Sequence, residues 1–310
     1  MTKLKAVFMG TPDFAVPCLA KLHEICDVIS VITQPDKKRG RGQKFTPSPV
    51  KAFAVEHNLP VLQPTKVKTP EFVEELRKLQ PDIIIVVAFG QILSQEILDI
   101  PPKGCINVHA SLLPRYRGAA PIHWSIIRGE KMTGVTTMYM DAGLDTGDMI
   151  LKDSVEITAD MTTEELHDKL MAMGSALLEK TIHAVEDNSV IREKQDDKLS
   201  TYSPMLNDDT CRIDWTKSAQ EIHNQVRGLN SWPVAYTMLD DKKIKIWQTA
   251  VVKGNFSKPG EIVEISKNGL VVATGENAVE ILELQAPSKK RMSAKAYANG
   301  HKLELPLQFN

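Results

Sequence analysis

The segment GCINVHASLLP, residues 104–114, places two polar side chains, Asn107 and His109, inside an apolar stretch. Alternate residues of a strand share a face, so Ile106 and Val108 point to one side and the polar pair points to the other. An amide donates to a developing oxyanion, and an imidazole donates or accepts a proton near neutral pH. The pair suits acyl transfer, whereas the alternative is that it meets solvent or a nearby loop.

A second candidate site lies in YMDAGLDTGD, residues 139–148, which holds three aspartates and two glycines. An ordinary turn or a calcium-like oxygen cluster are alternatives, but the spacing does not fit the EF-hand loop and the closing Glu is missing. A carboxylate beside a neutral histidine fixes its tautomer and stabilises its charged form, so Asp145 is suited to orient His109. Because no G-x-S-x-G segment is present, direct transfer without a covalent enzyme intermediate is the simpler mechanism.

A third candidate is the basic segment QPDKKRGRGQKFTPSP, residues 34–49, which follows a predicted strand. Its cations outnumber its single acid, Asp36, and they are Lys37, Lys38, Arg39, Arg41 and Lys44. The spacing matches neither the Walker loop nor the dinucleotide fingerprint. The segment is either a solvated basic loop or a flexible clamp for phosphates beside the site.

These side chains need a scaffold, and the first 200 residues alternate strand and helix signals. The run IIIVVAF is apolar on both faces, as in a parallel sheet that helices cover on each side. Residues 162–187 predict a long covering helix that opens with Thr and Glu in capping positions. In a doubly wound α/β sheet, ligands bind beyond the carboxyl ends of the strands. Phe89–Gly90, Asn107, His109 and Asp141 all fall at or just past predicted strand ends, so the pattern predicts a site there.

The pattern changes after a polar, irregular stretch that contains Pro204. Short strand-like segments then follow, and turn residues such as Pro259–Gly260 and Asn268–Gly269 separate them, which is typical of a small β-barrel. We therefore predict a mostly parallel α/β domain over residues 1–200, a linker over 201–207 and a small β-barrel domain over 208–310. The length of 310 residues agrees with two domains.

Composition narrows the possible functions. Hydrophobic residues make up 42% and charged residues 25%, as expected of a globular protein, and no apolar run reaches the roughly 18 residues that span a bilayer. We expect a cytoplasmic protein without a membrane partner. The four cysteines form no C-x-x-C pair, which argues against a disulfide framework and a zinc site. With a net charge of −1, a nucleic acid must be held by local patches.

At INVHASLLPRYRGAAP and DAGLDTGD the sequence resembles the folate-dependent formyltransferases. In that family an Asn, a His and an Asp surround the formyl group of 10-formyltetrahydrofolate, and Asn107, His109 and Asp145 match them. The resemblance implies that 10-formyltetrahydrofolate is the cosubstrate. We expect no metal. The folate contacts that it implies are Phe89, Gly90, Ile92, Ser111, Leu112, Leu113, Pro114 and Asp141.

The resemblance continues along essentially the whole chain through MGTPDFAVP, PSPVK, AFGQIL, CRIDW and RGLNSWPVAYT. Ser231 stands where the family usually has Pro, and Cys211 where Ala is common, but neither belongs to the catalytic trio. The resemblance implies a Rossmann-like domain, an OB-like C-terminal domain and formyl transfer to the α-amino group of methionyl initiator tRNA. We expect a monomer. The tRNA contacts that we expect are Lys38, Arg39, Arg41, Lys44, Lys289, Lys290 and Arg291.

Two rival functions share some of these features. A formyltransferase or deformylase that acts on a purine nucleotide or a sugar amine would carry the same trio, but it would not need the basic segment or this barrel domain. A non-catalytic RNA-binding module would leave the trio without a purpose. Binding of initiator tRNA would distinguish the expected function from the first rival. Folate-dependent formylation would eliminate the second rival, the non-catalytic RNA-binding module.

Overall fold

The computed structural model describes residues 3–39, 44–256 and 258–310, and the chain divides into two compact units. The first unit comprises Met1–Gly118, Thr133–Val155 and His167–Tyr202. The second unit comprises Ala119–Met132, Glu156–Leu166 and Ser203–Asn310. A domain division with a linker at residues 201–207 stays a prediction.

The first unit is built on a seven-stranded sheet. Its strands are β1 (Lys5–Gly10), β2 (Asp27–Ile32), β5 (Val61–Leu62), β6 (Ile83–Val87), β7 (Cys105–His109), β9 (Met132–Tyr139) and β10 (Met149–Glu156). They lie in the order β10-β9-β7-β6-β1-β2-β5. The four pairings from β5 to β7 are parallel, and β7 pairs with β9 in the antiparallel sense.

Helices cover this sheet. They are α1 (Val16–Ile25), α2 (Pro49–Glu56), α3 (Pro70–Lys78), α4 (Gln95–Leu98) and α6 (Thr163–Glu186), whose first residues belong to the second unit. Every residue of β6 is buried, as predicted for a central strand with both faces covered. Phe72, Val73 and Leu76 of α3 pack into the core on one face of the sheet. The predicted start of α6 is confirmed, because Thr162 and Glu165 form reciprocal capping hydrogen bonds.

The second unit contains a curled antiparallel sheet. Its strands are β12 (Ala235–Leu239), β13 (Lys242–Val252), β14 (Glu261–Ile265), β15 (Leu270–Ala273), β16 (Ala278–Gln285), β17 (Met292–Ser293) and β18 (Leu307–Gln308). The order is β12-β13-β16-β15-β14-β18, with β17 beside β16. Asn310, just after β18, exchanges backbone hydrogen bonds with Met238 of β12, so the two edges of the sheet approach each other. The fold prediction of an α/β domain followed by a small barrel-like β domain is confirmed.

Four helices belong to the second unit, α5 (Pro121–Ile127), α7 (Asp208–Cys211), α8 (Ala219–Gly228) and α9 (Ala294–His301). Ser218 and Glu221 form a capping box that starts α8, and Ile222 and Val226 of this helix join the core of the unit. In the same core, the rings of Trp215 and Phe309 stack 5.6 Å apart. The second unit therefore has an apolar core of its own.

Some elements differ from the sequence prediction. The basic segment, predicted as a loop, contains two short antiparallel strands, β3 (Lys37–Arg39) and β4 (Lys44–Thr46). Strand β10 and helix α9 were not predicted, and two-residue strands occur at β8 (Arg117–Gly118) and β11 (Tyr202–Ser203). Seven of the eight residues of β10 are at least partly open to solvent without a regular alternation, so this edge strand carries no apolar pattern.

Candidate active site

The predicted polar pair lies at the carboxyl end of β7, beside the carboxyl end of β6. Asn107 pairs with Val86 of β6 on one side and with Met138 of β9 on the other, and His109 pairs with Thr136. Asn107 is half-buried and His109 is buried. Within the described parts of the chain, the Asn107 amide has no side-chain hydrogen bond. Its N–H groups are therefore available to a bound substrate.

A backbone carbonyl fixes the tautomer of His109. The ring Nε2 lies 2.9 Å from the carbonyl oxygen of Tyr116, and a carbonyl can only accept, so Nε2 carries a proton. In the neutral ring, Nδ1 is then the nitrogen with the free lone pair. We expected Asp145 to fix the tautomer, but the carbonyl of Tyr116 fixes it instead. Tyr116 has a left-handed φ of 61°.

Asp145 faces the other nitrogen of the same ring. Its Oδ2 lies 3.8 Å from Nδ1 of His109, beyond a direct hydrogen bond, and the same oxygen accepts a hydrogen bond of 2.8 Å from the Gly118 N–H. The side chains of His109 and Asp145 are only 7% and 14% exposed, so water screens this pair weakly. The carboxylate is thus placed to stabilise a proton on Nδ1. The structure brings the predicted trio together at one edge of the sheet.

The loop that carries Asp145 is tightly ordered by its own polar groups. Asp141 accepts hydrogen bonds from the Gly143 N–H at 3.0 Å and from Thr146 Oγ1 at 2.7 Å. A Cβ on Gly147 would overlap the carbonyl oxygen of Tyr139, so only glycine fits that close approach. Asp141, a predicted folate contact, is exposed and shapes this loop.

The SLLP segment forms a turn anchored on β9. Ser111 is fully buried and donates to the carbonyl oxygen of Arg115 at 2.7 Å. Thr136 Oγ1 donates to the Ser111 carbonyl and accepts from the Leu113 N–H. Leu113 is buried against Met138 and Met149, while Leu112 and Pro114 are half-buried. The two half-buried side chains are the members of the segment with surface left for a ligand.

The loop after β6 supplies the other predicted folate contacts. Phe89 is buried, Gly90 is exposed with φ of 85°, and Ile92 is 66% exposed. Thr11 Oγ1 and Gln34 Nε2 both donate to the Phe89 carbonyl, at 3.0 and 3.2 Å. The exposed Ile92 side chain is an apolar surface that a flat ligand ring can cover.

The predicted tRNA contacts fall into two groups, one in each unit. Lys38, Arg39 and Lys44 lie on β3 and β4, and their side chains, like the whole of Arg41, lie outside the described residues. Lys51 Nζ donates a hydrogen bond of 2.7 Å to Asp36, which lies just before β3. This hydrogen bond is the main reason why the pKa of Asp36 is lowered, and a hydrogen bond from Gln63 is the second.

In the second unit, Lys289, Lys290 and Arg291 are all exposed. Arg291 forms an ion pair with Glu283 and lies over the Trp247 ring, 4.9 Å from its centroid. Its charge is therefore partly offset, and the two lysines are the more available cations of this group.

All four cysteines are free and buried. Burial raises the pKa of Cys18, Cys26 and Cys105 to about 12, so none of these three thiols ionises at neutral pH. The described residues contain no group of three or more His, Cys, Asp or Glu side chains that could hold a metal ion. Among the same residues, no helix is long and apolar enough to span a membrane.

Two groups that contact the trio were not predicted from the sequence. One is the Tyr116 carbonyl, which carries no side-chain signal. The other is Gln195, whose amide contacts the loop of Asp145 from 50 residues further along the chain. It lies in a polar stretch without periodicity, so only the folded structure reveals it.

The first unit has a mostly parallel α/β sheet with an amide, an imidazole and a carboxylate at its carboxyl edge, and a curled β unit follows it. This is the architecture of a group transferase of the formyl transferase class. A family model described as formyl transferase matches residues 4–182, and one described as formyl transferase, C-terminal domain, matches residues 205–302. The chain belongs to the formyl transferase family.

Within that family, curated relatives align along nearly the whole chain. A protein of Clostridium perfringens named methionyl-tRNA formyltransferase is 55% identical over 97% of this chain and 98% of its own length. A protein of the same name from Clostridioides difficile is 52% identical over 98% of this chain and 99% of its own length. The chain thus groups with the methionyl-tRNA formyltransferases.

A solved N-formyltransferase from Helicobacter canadensis shares the fold. It superimposes with a TM-score of 0.70 at 22% identity, covering 91% of this chain and 99% of its own. That structure is described as a complex with folinic acid and dTDP-3-aminofucose. At this identity the similarity concerns the fold alone.

Proposed function

We propose that this protein transfers a formyl group from 10-formyltetrahydrofolate to the α-amino group of methionyl initiator tRNA. The observation that carries the proposal is the identity of 51–55% with relatives of that name over 97–98% of the chain. The geometry at the carboxyl edge of the first sheet supports it, because an amide, an imidazole and a carboxylate lie together there.

Asn107 donates a hydrogen bond to the formyl oxygen. When the amine attacks, the formyl carbon becomes tetrahedral and its oxygen gains negative charge, which a preorganised amide stabilises. The half-buried side chain has its N–H groups free for this contact within the described parts of the chain. The new C–N bond to methionine forms as negative charge moves to oxygen, and the bond from the formyl carbon to N10 of the folate breaks when that intermediate collapses.

His109 and Asp145 manage the proton. The attacking amine must lose a proton, and the lone pair on Nδ1 accepts it because Nε2 is already protonated and bonded to Tyr116. The charge of the imidazolium that results is stabilised by the Asp145 carboxylate, whose Oδ2 lies 3.8 Å from Nδ1. The proton then passes to N10 of tetrahydrofolate as it leaves, so the enzyme returns to its starting state.

The folate ring system occupies the surface between the loop after β6 and the SLLP turn in our proposal. The side chains assigned to it are Phe89, Gly90, Ile92, Ser111, Leu112, Leu113, Pro114 and Asp141. Buried Phe89, Ser111 and Leu113 shape this surface from beneath, while Ile92, Leu112 and Pro114 offer apolar area.

The tRNA is held by the two basic groups, Lys38, Arg39, Arg41 and Lys44 in the first unit and Lys289, Lys290 and Arg291 in the second. Neutralising phosphates releases counterions, so binding weakens as the salt concentration rises. We assign residues 1–200 to the catalytic domain, 201–207 to a linker and 208–310 to the tRNA-binding domain, and we expect a cytoplasmic monomer.

Formylation of a sugar amine is the second candidate, because the solved N-formyltransferase with a similar fold carries dTDP-3-aminofucose. The test is to mix the protein with 10-formyltetrahydrofolate and initiator tRNA charged with methionine, then to release the amino acid and look for a blocked amino group. Uncharged tRNA is the control and should take no formyl group. Methionine that stays unblocked under conditions where the folate is bound would overturn the proposal.

A further inference from the structure

The side chain of Gln195 joins three parts of the first unit. Its Nε2 donates to the carbonyl oxygens of Asp145 and Gly147, at 2.8 Å each. Its Oε1 accepts from Nε of Arg117 at 2.9 Å. Arg117 also donates from Nη2 to Asp197 at 2.8 Å. The amide of Gln195 therefore connects Arg117, which is paired with Asp197, to the loop that carries the candidate catalytic carboxylate of Asp145.

The partners determine which way this amide points. A guanidinium only donates, so the oxygen of Gln195 must face Arg117 and the NH₂ group must face the loop. Its two N–H groups then match the two carbonyl acceptors, one each. All hydrogen-bonding groups of the amide are satisfied by this arrangement, and a flipped amide would set N–H against N–H and oxygen against oxygen.

The two carbonyls lie two residues apart, so one amide fixes the backbone of the loop on both sides of Thr146. Asp145 has a left-handed φ of 55°, a conformation that is uncommon for residues other than glycine, although Asp adopts it more readily than most. The direction of its carboxylate depends on that backbone. Among the described residues, the carboxylate itself accepts one hydrogen bond, from the Gly118 N–H at 2.8 Å.

We propose that Gln195 is a positioning residue for formyl transfer, which holds the loop of Asp145 so that the carboxylate faces Nδ1 of His109. The inference rests on the proposed role of Asp145 in catalysis. No hydrogen bond joins Gln195 to His109 or to a predicted folate contact in the described structure, so its link to the site runs through the backbone of the loop. Its Nε2 also lies 3.9 Å from Sδ of Met138 on β9. Arg117 supports it by fixing the orientation of the amide.

The test uses Gln195→Glu, which keeps the shape of the side chain and an oxygen for Arg117 but replaces the two N–H donors with an anionic oxygen. That oxygen faces two carbonyl oxygens and repels them. We expect kcat for formylation to fall at least about 10-fold, toward the value of Asp145→Asn, while KM for tRNA and for folate stays within about twofold. In an Asp145→Asn background the same change should add little further loss, because effects that pass through one residue are not additive.

The matched control is Asp197→Ala, which removes the exposed second partner of Arg117 and leaves the amide contacts in place. Its kcat should stay within about twofold of wild type. The unfolding temperature of both variants checks that the fold survives, and Gln195→Met, which lacks charge, provides a second variant if Gln195→Glu unfolds.

A second readout does not depend on the substrate. Hydrogen exchange of the Gly118 amide, followed by NMR, reports whether the Asp145 carboxylate still covers that N–H. We expect exchange at least about 10-fold faster in Gln195→Glu and unchanged in Asp197→Ala. Unchanged exchange in Gln195→Glu or Gln195→Met would overturn the positioning role, whereas a wild-type enzyme that leaves methionyl-tRNA unformylated would overturn the proposed function and not the positioning of the loop.

Discussion

Asp145→Asn separates the geometry of the site from its charge. The Asn side chain has nearly the same shape, and its oxygen can still accept the hydrogen bond that the Gly118 N–H gives to Asp145. The negative charge 3.8 Å from Nδ1 of His109 is lost. At that distance, an effective dielectric constant near 20 gives an attraction between carboxylate and imidazolium of about 4 kcal/mol.

The attraction of about 4 kcal/mol between carboxylate and imidazolium determines how much Asp145→Asn should slow the chemical step. Because about 1.4 kcal/mol corresponds to a tenfold change in rate, losing the whole attraction would slow the chemical step by about 10³. The side-chain dipole of Asn and rearranged water recover part of it, so we expect a loss of about 10²–10³. Substrate binding should not change, since neither folate nor tRNA needs the charge of Asp145 to bind.

Single-turnover formylation with saturating methionyl-tRNA and 10-formyltetrahydrofolate isolates the chemical step. Asp148→Asn, another aspartate of the same loop, is the control and should keep a rate within about twofold of wild type. A rate for Asp145→Asn within about threefold of wild type, roughly 0.7 kcal/mol, would refute the role of this charge. The proton would then leave the amine by another route, and Asp145 would be a turn residue.

Three other predictions address the amide, the basic segment and the second unit. Asn107→Ala should slow formyl transfer by about 10²–10³ with the fold intact, because one oxyanion donor is lost, and near wild-type turnover would contradict this role. Replacing Arg39 and Arg41 by Ala should raise KM for tRNA and flatten its salt dependence while folate binding stays unchanged; unaltered tRNA kinetics would mean that the segment is a solvated surface. Burial, aided by the charge of Arg227, lowers the pKa of His223, so the unfolded chain binds its proton more readily and the free energy of unfolding should fall as the pH drops below about 6.5. Urea unfolding at pH 7.5 and 5.5 checks the sign, and His223→Gln should lose less stability than wild type over this interval.

The sequence predicted the fold and the location of the candidate site from two simple rules. A strand alternates its faces, which put Asn107 and His109 on one side of β7, and parallel strands end at one edge, which put Phe89 and Gly90 beside them. These rules work because they depend on local patterning. The apolar run of β6 carried the same kind of signal, since the whole strand is buried.

The contacts that complete the site could not be predicted in this way. The tautomer of His109 depends on the backbone carbonyl of Tyr116, and a carbonyl is the same in every residue type. The loop of Asp145 depends on Gln195, which lies in a polar stretch with no period. Such contacts arise from tertiary geometry, where a side chain meets a backbone group far away in the sequence.

The short strands of the basic segment were also beyond prediction. Strands β3 and β4 have three residues each and are composed largely of Lys and Arg, so no apolar alternation marks them. Their pairing depends on backbone hydrogen bonds between Lys37–Arg39 and Lys44–Thr46. The charge of the segment was visible in the sequence, whereas the pairing of its two strands was not.

Competition between two acceptors shows which amine this protein formylates. Methionyl initiator tRNA and dTDP-3-aminofucose are offered together at equal concentration to the protein with 10-formyltetrahydrofolate, and mass spectrometry counts the formyl groups on each product. We predict that formyl groups appear on methionine at least about 100-fold more often than on the sugar, and that Asn107→Ala and Asp145→Asn suppress this product. Formyl groups that accumulate on the sugar while methionine stays free would contradict formyl transfer to methionyl-tRNA as the function.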